Sequence, residues 1–207
     1  RALAGSGIQT SALAFGGDIA GPIQSNTELW NGSIWSNDVR MNTAVSQLAG
    51  SGSSTAALAF GGSTPPITAL TQEWNSGVSV GAWVTEATLN TARKQISAAG
   101  SSNTSALAFG GSTPPAQSLT ELYNGTAWAE VNNMNTTRKG PAGGAGTATA
   151  ALSFSGQVSD TPNDVGVQTE IWNGYTWTEV NDMNTARRGL GSSGVTNTSC
   201  MAFGGLN

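Results

Sequence analysis

The stretch "TELWNGSIW", residues 27–35, sets two tryptophans, Trp30 and Trp35, on either side of Asn31-Gly32. It returns as "TELYNGTAW" at 120–128 and "TEIWNGYTW" at 169–177, and more loosely as "TQEWNSGVSVGAW" at 71–83. Asn-Gly between apolar, β-favouring runs is the strongest short-range hairpin signal. Both residues tolerate the positive φ that a type I′ turn asks of its two central positions. With Asn31-Gly32 as a two-residue loop, Trp30 is expected opposite Ser33 and Glu28 opposite Trp35, so the indoles become diagonal neighbours. The period of two puts Trp30, Glu28 and Trp35 on one face of the ribbon, with Leu29 and Ile34 on the other. Each such hairpin carries a bulky aromatic face that a neighbouring layer has to cover.

A second phrase alternates with the first. "ALAFGG" ends at Gly17, Gly62 and Gly111, "ALSFSG" at Gly156, and "MAFGG" at Gly205. Its phenylalanines, Phe15, Phe60, Phe109, Phe154 and Phe203, are 45, 49, 45 and 49 residues apart. A third phrase closes each unit: "MNTAV" at Met41, "LNTAR" at Leu89, "MNTTR" at Met134 and "MNTAR" at Met183. Self-similarity at this period points to a solenoid, propeller or array. One unit reads as four short strands: a small-residue strand such as "KGPAGGAG", an "ALAF" strand, a variable loop, then the two arms of the Asn-Gly hairpin. The alternation of Leu and Phe with Ala is that of a strand buried on both faces. No segment shows a helical period, and almost no helix is expected.

A basic residue opening the unit, a strand ending in Gly-Gly, an aromatic before a turn and a Trp about five residues later form the pattern of kelch repeats. The chain resembles kelch β-propellers along its whole length. It departs from the pattern at Val45, where other units have Arg93, Arg138 and Arg187, and at Ser155-Gly156, which replaces Gly-Gly. The Ala/Gly/Ser/Thr-rich wording also resembles kelch-like proteins predicted in bacteriophage genomes. The resemblance implies an all-β fold in one domain, 1–207: a β-propeller of four-stranded blades. Its repeats fall at about 1–44, 45–92, 93–137 and 138–186, with a half repeat at 187–207. Either a five-bladed ring closes on a two-stranded fifth blade, or the chain is part of a larger propeller. The Gly/Ala/Ser runs suit inner strands crowded around an axis, because small side chains let backbones approach. Trp30, Trp35, Trp74, Trp83, Tyr123, Trp128, Trp172 and Trp177 are expected to be structural and to pack between blades, with the five phenylalanines in buried strands.

Composition limits the chemistry. Histidine is absent, which removes the commonest general base, pH switch and metal ligand. The single cysteine, Cys200, can form no disulfide within the chain or cysteine zinc site, and is expected to be a small core hydrophobe. The copper-oxidase members of the kelch family need histidine and a Tyr-Cys crosslink, so their chemistry does not carry over. Neither a P-loop nor a "GxSxG" elbow is present. Glu28, Glu121 and Glu170 recur at one repeat position, where the second unit has Gln72. Glu86, Glu130 and Glu179 recur at another. A glycosidase needs two carboxylates about 5–10 Å apart across a cleft, but residues that recur once per blade are spread around the ring. Asp160 and Asp164 lie in the longest loop, "GQVSDTPNDVGVQ". They could join backbone carbonyls around a calcium ion, but their spacing is not that of an EF-hand loop. No cofactor or metal is expected.

All eight basic residues fall in the crossovers between units: Arg1, Arg40, Arg93, Lys94, Arg138, Lys139, Arg187 and Arg188. In an up-and-down blade, the crossovers and the loops after "FGG" emerge on one face, and the Asn-Gly turns on the other. Arg93, Arg138 and Arg187 are expected to pair with strand glutamates or cap carbonyls. Lys94, Lys139 and Arg188 are expected to face solvent. The candidate partner-binding residues are therefore Arg40, Lys94, Lys139, Arg188, Asp160 and Asp164, with the loops at 17–26, 63–70, 112–119 and 157–168. The opposite face consists of tight turns, except the longer one at 75–82. A net charge of −4 argues against nucleic acid as a partner. No stretch is long and apolar enough to span a membrane. No signal peptide is visible, so the sequence reads as a mature or trimmed product. Charged residues make up 10% of the chain, leaving Ser, Thr and Asn to supply solubility, as is common on extracellular or virion surfaces. The expected function is a non-enzymatic binding or structural module that contacts a protein partner or glycan, alone or as part of a larger assembly. The alternative is a carbohydrate-active enzyme that uses loop carboxylates on the same face.

Overall fold

The computed structural model describes residues 2–77, 81–140, 143–161 and 163–206. Arg1, the tip of the 75–82 turn, Pro141, Ala142, Pro162 and Asn207 lie outside them. The described residues contain no helix, and so none long and apolar enough to cross a membrane. They form four four-stranded antiparallel sheets and one two-stranded sheet. The first holds β1 (Ala4–Ile8), β2 (Ser11–Phe15), β3 (Thr27–Trp30) and β4 (Trp35–Asp38). The second holds β5 (Ala49–Gly52), β6 (Ala56–Phe60), β7 (Thr71–Asn75) and β8 (Ala82–Glu86). The third holds β9 (Ser97–Ser102), β10 (Ser105–Phe109), β11 (Thr120–Tyr123) and β12 (Trp128–Val131). The fourth holds β13 (Gly143–Thr147), β14 (Ala150–Phe154), β15 (Thr169–Trp172) and β16 (Trp177–Val180). The fifth pairs β17 (Arg188–Thr196) with β18 (Ser199–Leu206).

The sheets follow one another in chain order, and β1, β5, β9, β13 and β17 each pack on the next. Gly5, Gly50, Ala98, Gly144 and Ser192 of these five strands line one cavity together. Small residues are required there. A Cβ on Gly144 would lie 2.5 Å from the Ala98 carbonyl oxygen and 2.9 Å from the Phe109 ring. One end of the cavity carries a collar of left-handed residues. Gln47 N donates to Ala2 O, Gln95 N to Gln47 O, Gly140 N to Gln95 O and Gly189 N to Gly140 O, at 2.9–3.3 Å. Ala2, Gln47, Gln95, Gly140 and Gly189 all have φ between 54° and 67°.

The outer strands tie each sheet to the one before it. Trp83 packs on Phe15, Trp128 on Phe60 and Trp177 on Phe109, with ring centroids 5.1, 4.8 and 5.0 Å apart. Their indole N–H groups donate to the hydroxyls of Thr27, Thr71 and Thr120 at 3.0 Å. Such aromatic pairs contribute about 0.5–1.5 kcal/mol beyond the area they bury.

The hairpin turns differ from the expected register. Trp30 lies directly opposite Trp35, and Glu28 opposite Asn37. Tyr123–Trp128 and Trp172–Trp177 repeat the pairing. The central turn residues are Gly32-Ser33, one step further on, because Asn31 uses its side chain instead. Its Oδ1 accepts from Ser33 N and Ile34 N, both at 3.0 Å. Only Gly32 then needs positive φ, 92°, as in a type II′ turn. The division of side chains between the two faces is unchanged, since the shift moves the turn and not the alternation.

Three side chains are less buried than the repeat suggests. Trp35 is 50% exposed, Phe203 53% exposed and Cys200 half-buried. Trp35 has no sheet against its outer face among the described residues, and Phe203 and Cys200 lie on β18, whose outer edge is unpaired. The other four phenylalanines and Trp74, Trp83, Tyr123, Trp128, Trp172 and Trp177 are buried, while Trp30 is half-buried.

Candidate functional site

The "NTAR" phrase and the recurring glutamate meet in a buried polar cradle. Arg93 Nη2 is 2.7 Å from Glu121 Oε1, with both side chains at 1% exposure or less. Arg93 Nη1 donates to the carbonyls of Gly110 and Leu119, at 2.7 and 3.0 Å. Glu121 accepts from Asn90 N at 2.7 Å, Asn90 Nδ2 at 3.1 Å and Thr91 N at 3.4 Å. The fourth unit repeats this with Arg138, Glu170, Asn135 and Thr136. Burial pulls both guanidinium groups below their ordinary pKa, opposed by the facing carboxylate. The second unit replaces both partners. Val45 stands in the arginine's place, and Gln72 accepts from Thr43 N at 3.1 Å while donating to Thr43 O at 3.2 Å. Removing the cation alone would strand a buried carboxylate; the neutral amide avoids that cost.

These contacts join strands and crossovers from within, and they occupy the carboxylates most regularly placed by the repeat. The open chemistry lies instead on the loops after the Phe strands. Each loop is closed at its base by two recurring backbone bonds: Gly16 N to Asn26 O, Gly61 N to Leu70 O, Gly110 N to Leu119 O and Ser155 N to Gln168 O, at 2.9–3.0 Å, and Gln24 N to Gly17 O, Thr68 N to Gly62 O, Gln117 N to Gly111 O and Gly166 N to Gly156 O, at 2.8–3.0 Å. Isolated bridges attach the next crossover to three of them, pairing Ser46 with Ser63, Lys94 with Ser112 and Lys139 with Gln157. The crossovers and the variable loops therefore share one end of the sheets. The hairpin turns lie at the other, where Trp30 Nε1 donates to Gln9 O in the β1–β2 turn.

Four of the six candidate residues meet at the longest loop. Lys139 Nζ pairs with Asp160 Oδ1, and Arg188 Nη2 donates to Asn163 Oδ1 in the same loop at 3.0 Å. Asp164 shapes that loop from inside, accepting from Ser159 Oγ at 2.5 Å. Lys94 is held by its backbone beside Ser112, and Arg40 is exposed in the β4–β5 segment. Lys94, Lys139 and Arg188 are half-buried and not fully solvent-facing: bridges fold the loops back over Lys94 and Lys139, and Arg188, on β17, reaches over to Asn163. Asp160 and Asp164 already have protein partners. No group of three His, Cys, Asp or Glu able to hold a metal ion exists among the described residues. Arg187 pairs with no carboxylate among them, in contrast to Arg93 and Arg138. Its Nη1 reaches only the Gly204 carbonyl, at 3.3 Å.

Three contributing residues escaped the sequence reading. Asn90 and Asn135 hold the buried glutamates, for which the recurrence of Asn in "NTAR" was the available signal. Ser155 sits at a Gly-Gly position with φ 58°, and its Oγ lies within 2.6–2.9 Å of Arg187 O, Arg187 N and Gly166 O. No protein-family model matches the chain, and no curated protein is significantly similar to it.

Proposed function

We propose that the chain is a kelch-like β-propeller that binds a protein partner or a glycan through its variable-loop face, without chemistry of its own. The observation that carries this reading is the common base beneath loops of different sequence and length. Binding surfaces concentrate on variable loops held by a rigid scaffold. Lys139, Asp160, Arg188 and Asn163 give the longest loop a mixed polar surface suited to hydrogen-bonded recognition. The non-enzymatic reading is supported by the engagement of Glu121 and Glu170, each held by an arginine and backbone N–H donors in a site without room for substrate. Display on a virion or outside a cell is supported by the low charge content and the Ser/Thr/Asn-rich composition. The net negative charge speaks against a nucleic-acid partner.

The test is binding to a glycan array and to candidate surface proteins, comparing the natural chain with a triple variant, Lys94→Gln, Lys139→Gln and Arg188→Gln. Neutralisation is preferred to charge reversal, since a glutamate at 139 would face Asp160. The variant is expected to keep its circular dichroism spectrum and to bind an acidic partner more weakly, with a flatter salt dependence. Binding that survives the triple change but is abolished by changes in the 75–82 turn would refute the face assignment.

A further inference from the structure

Two cations from neighbouring units converge on one loop. Gly189 N donates to Gly140 O at 3.3 Å, which sets Lys139-Gly140 and Arg188-Gly189 side by side in the collar. Both basic side chains then reach the loop between β14 and β15. Lys139 Nζ pairs with Asp160 Oδ1, and Arg188 Nη2 donates to Asn163 Oδ1, three residues further on. Lys94, at the same repeat position as Lys139, pairs with no carboxylate among the described residues.

The loop occupies these cations as a ligand would, but loosely. The Lys139 side chain is 11% exposed and that of Asp160 38%, so solvent reaches the pair from the carboxylate side. Glu121 and Glu170 are each fixed by backbone N–H groups as well as an arginine, whereas the Asp160 carboxylate is held by Lys139 alone. Partly exposed pairs of this kind are weak, and an external carboxylate can compete for the lysine. The loop also covers Arg188 Nε without giving that donor a partner among the described residues, which makes it an imperfect occupant. Asp164, the other carboxylate of the loop, is held by Ser159 Oγ and pairs with neither cation.

The surroundings decide the chemistry of the competitor. Thr137, Asp160, Thr161 and Asn163 are exposed, and none of the large exposed hydrophobic side chains lies in this loop or in the two crossovers beside it. A protein interface has an apolar centre within a polar rim, and this surface offers only the polar part. Amide and hydroxyl groups around two cations suit a ligand that carries a carboxylate among many hydroxyls. We propose that Lys139 and Arg188 recognise the carboxylate of an acidic, uronate-bearing glycan, and that Asp160 restrains the site by standing in for that carboxylate. This depends on binding at the loop face and adds to it a ligand class and an internal competitor.

The probe is a fluorescently labelled oligomer of galacturonic acid, titrated against the full chain by anisotropy at low ionic strength, with circular dichroism to check the fold of each variant. Asp160→Asn is expected to tighten binding about two- to fivefold, the range set by a weak ion pair. Lys139→Gln should weaken binding and abolish the gain from Asp160→Asn. Glu179→Gln removes the same charge from β16 and should change affinity by less than about twofold, which separates release of Lys139 from a general change in net charge. The methyl-esterified oligomer should not bind, and hexaglutamate should bind more weakly. No tightening by Asp160→Asn, or a gain that survives Lys139→Gln, overturns the proposal. Equal binding of hexaglutamate assigns the site to an acidic polypeptide and overturns it too. If the uronate shows no saturable binding up to millimolar concentration, while a neutral glycan or a protein binds and is weakened by Lys94→Gln, Lys139→Gln and Arg188→Gln together, the proposal falls and the loop-face reading stands. Uronate binding that this triple change leaves intact overturns both.

Discussion

The second unit tests the buried ion pair of the third. Arg93→Val leaves the Glu121 carboxylate at 1% exposure with its N–H donors but no cation. Glu121→Gln leaves the guanidinium fully buried without its anion. Breaking a buried pair from one side costs about 3–5 kcal/mol, whereas replacing both partners with neutral groups is often neutral or stabilising. The double variant Arg93→Val/Glu121→Gln reproduces Val45 and Gln72, whose amide exchanges two hydrogen bonds with Thr43. Glutamine at 121 has Thr91 in the equivalent place, and Leu119 O keeps the Gly110 N donor. The Gly110 carbonyl loses its side-chain donor, which costs about 1–3 kcal/mol, while Asn90 N, on an exposed residue, exchanges the second carboxylate oxygen for water at smaller cost. The double variant is therefore expected within about 2 kcal/mol of the natural chain, with a coupling of at least about 3 kcal/mol between the two sites. Urea unfolding, followed by tryptophan fluorescence and circular dichroism, measures all four corners of the cycle. If the double variant loses as much as the two single variants together, the residues do not act as a pair and the reasoning fails.

Trp128→Ala is expected to cost about 3–5 kcal/mol, because it removes a buried ring packed on Phe60 and Tyr123, whereas the half-exposed Trp35→Ala should cost less than about 1 kcal/mol in the same urea assay. Gly144→Ala should destabilise by about 1–3 kcal/mol, since its methyl would overlap the Ala98 carbonyl, with the thermal midpoint as readout. Tyr123→Phe should leave stability unchanged or raised, because the buried hydroxyl has no hydrogen-bond partner among the described residues. Burial, with help from Glu86 and Glu73, pushes the Tyr123 phenol above its ordinary pKa. Folding thus favours its neutral form, a contribution present in full below about pH 10 and lost as pH rises through the folded value. An alkaline unfolding titration should show that loss in the natural chain and not in Tyr123→Phe.

Strand content and order were legible because two local signals recur together: Asn-Gly turns fix the outer hairpins of the first, third and fourth units, and Leu and Phe alternating with Ala or Ser mark the second strand of all four complete units. The turn register was not legible, because Asn31 can supply either its backbone or its Oδ1, and the pattern of residue types is the same in both cases. The exposure of Trp35 and Phe203 was hidden for a different reason: burial of these rings depends on a neighbouring sheet and not on the phrase that contains them. The collar at Gln47 and Gln95 left little trace, since glutamine carries no preference for left-handed φ and only Gly140 and Gly189 hinted at it. The cradle was half written in the sequence. Val45 and Gln72 each break the pattern, and only their contact through the Thr43 segment shows that the two departures are one substitution.

The placement of polar chemistry explains why the loops can vary without loss of the scaffold. The arginine–glutamate pairs and the Trp–Thr bonds lie within and between sheets, and none depends on a loop tip. Each loop is held at its base by the same pair of backbone bonds, whether it runs ten residues from Gly61 to Leu70 or fourteen from Ser155 to Gln168. Closure entropy grows as about (3/2)RT ln n, so this difference in length costs only about 0.3 kcal/mol. A buried pair broken from one side costs roughly ten times as much. Sequence change is therefore tolerated at the loop tips and resisted in the cradles.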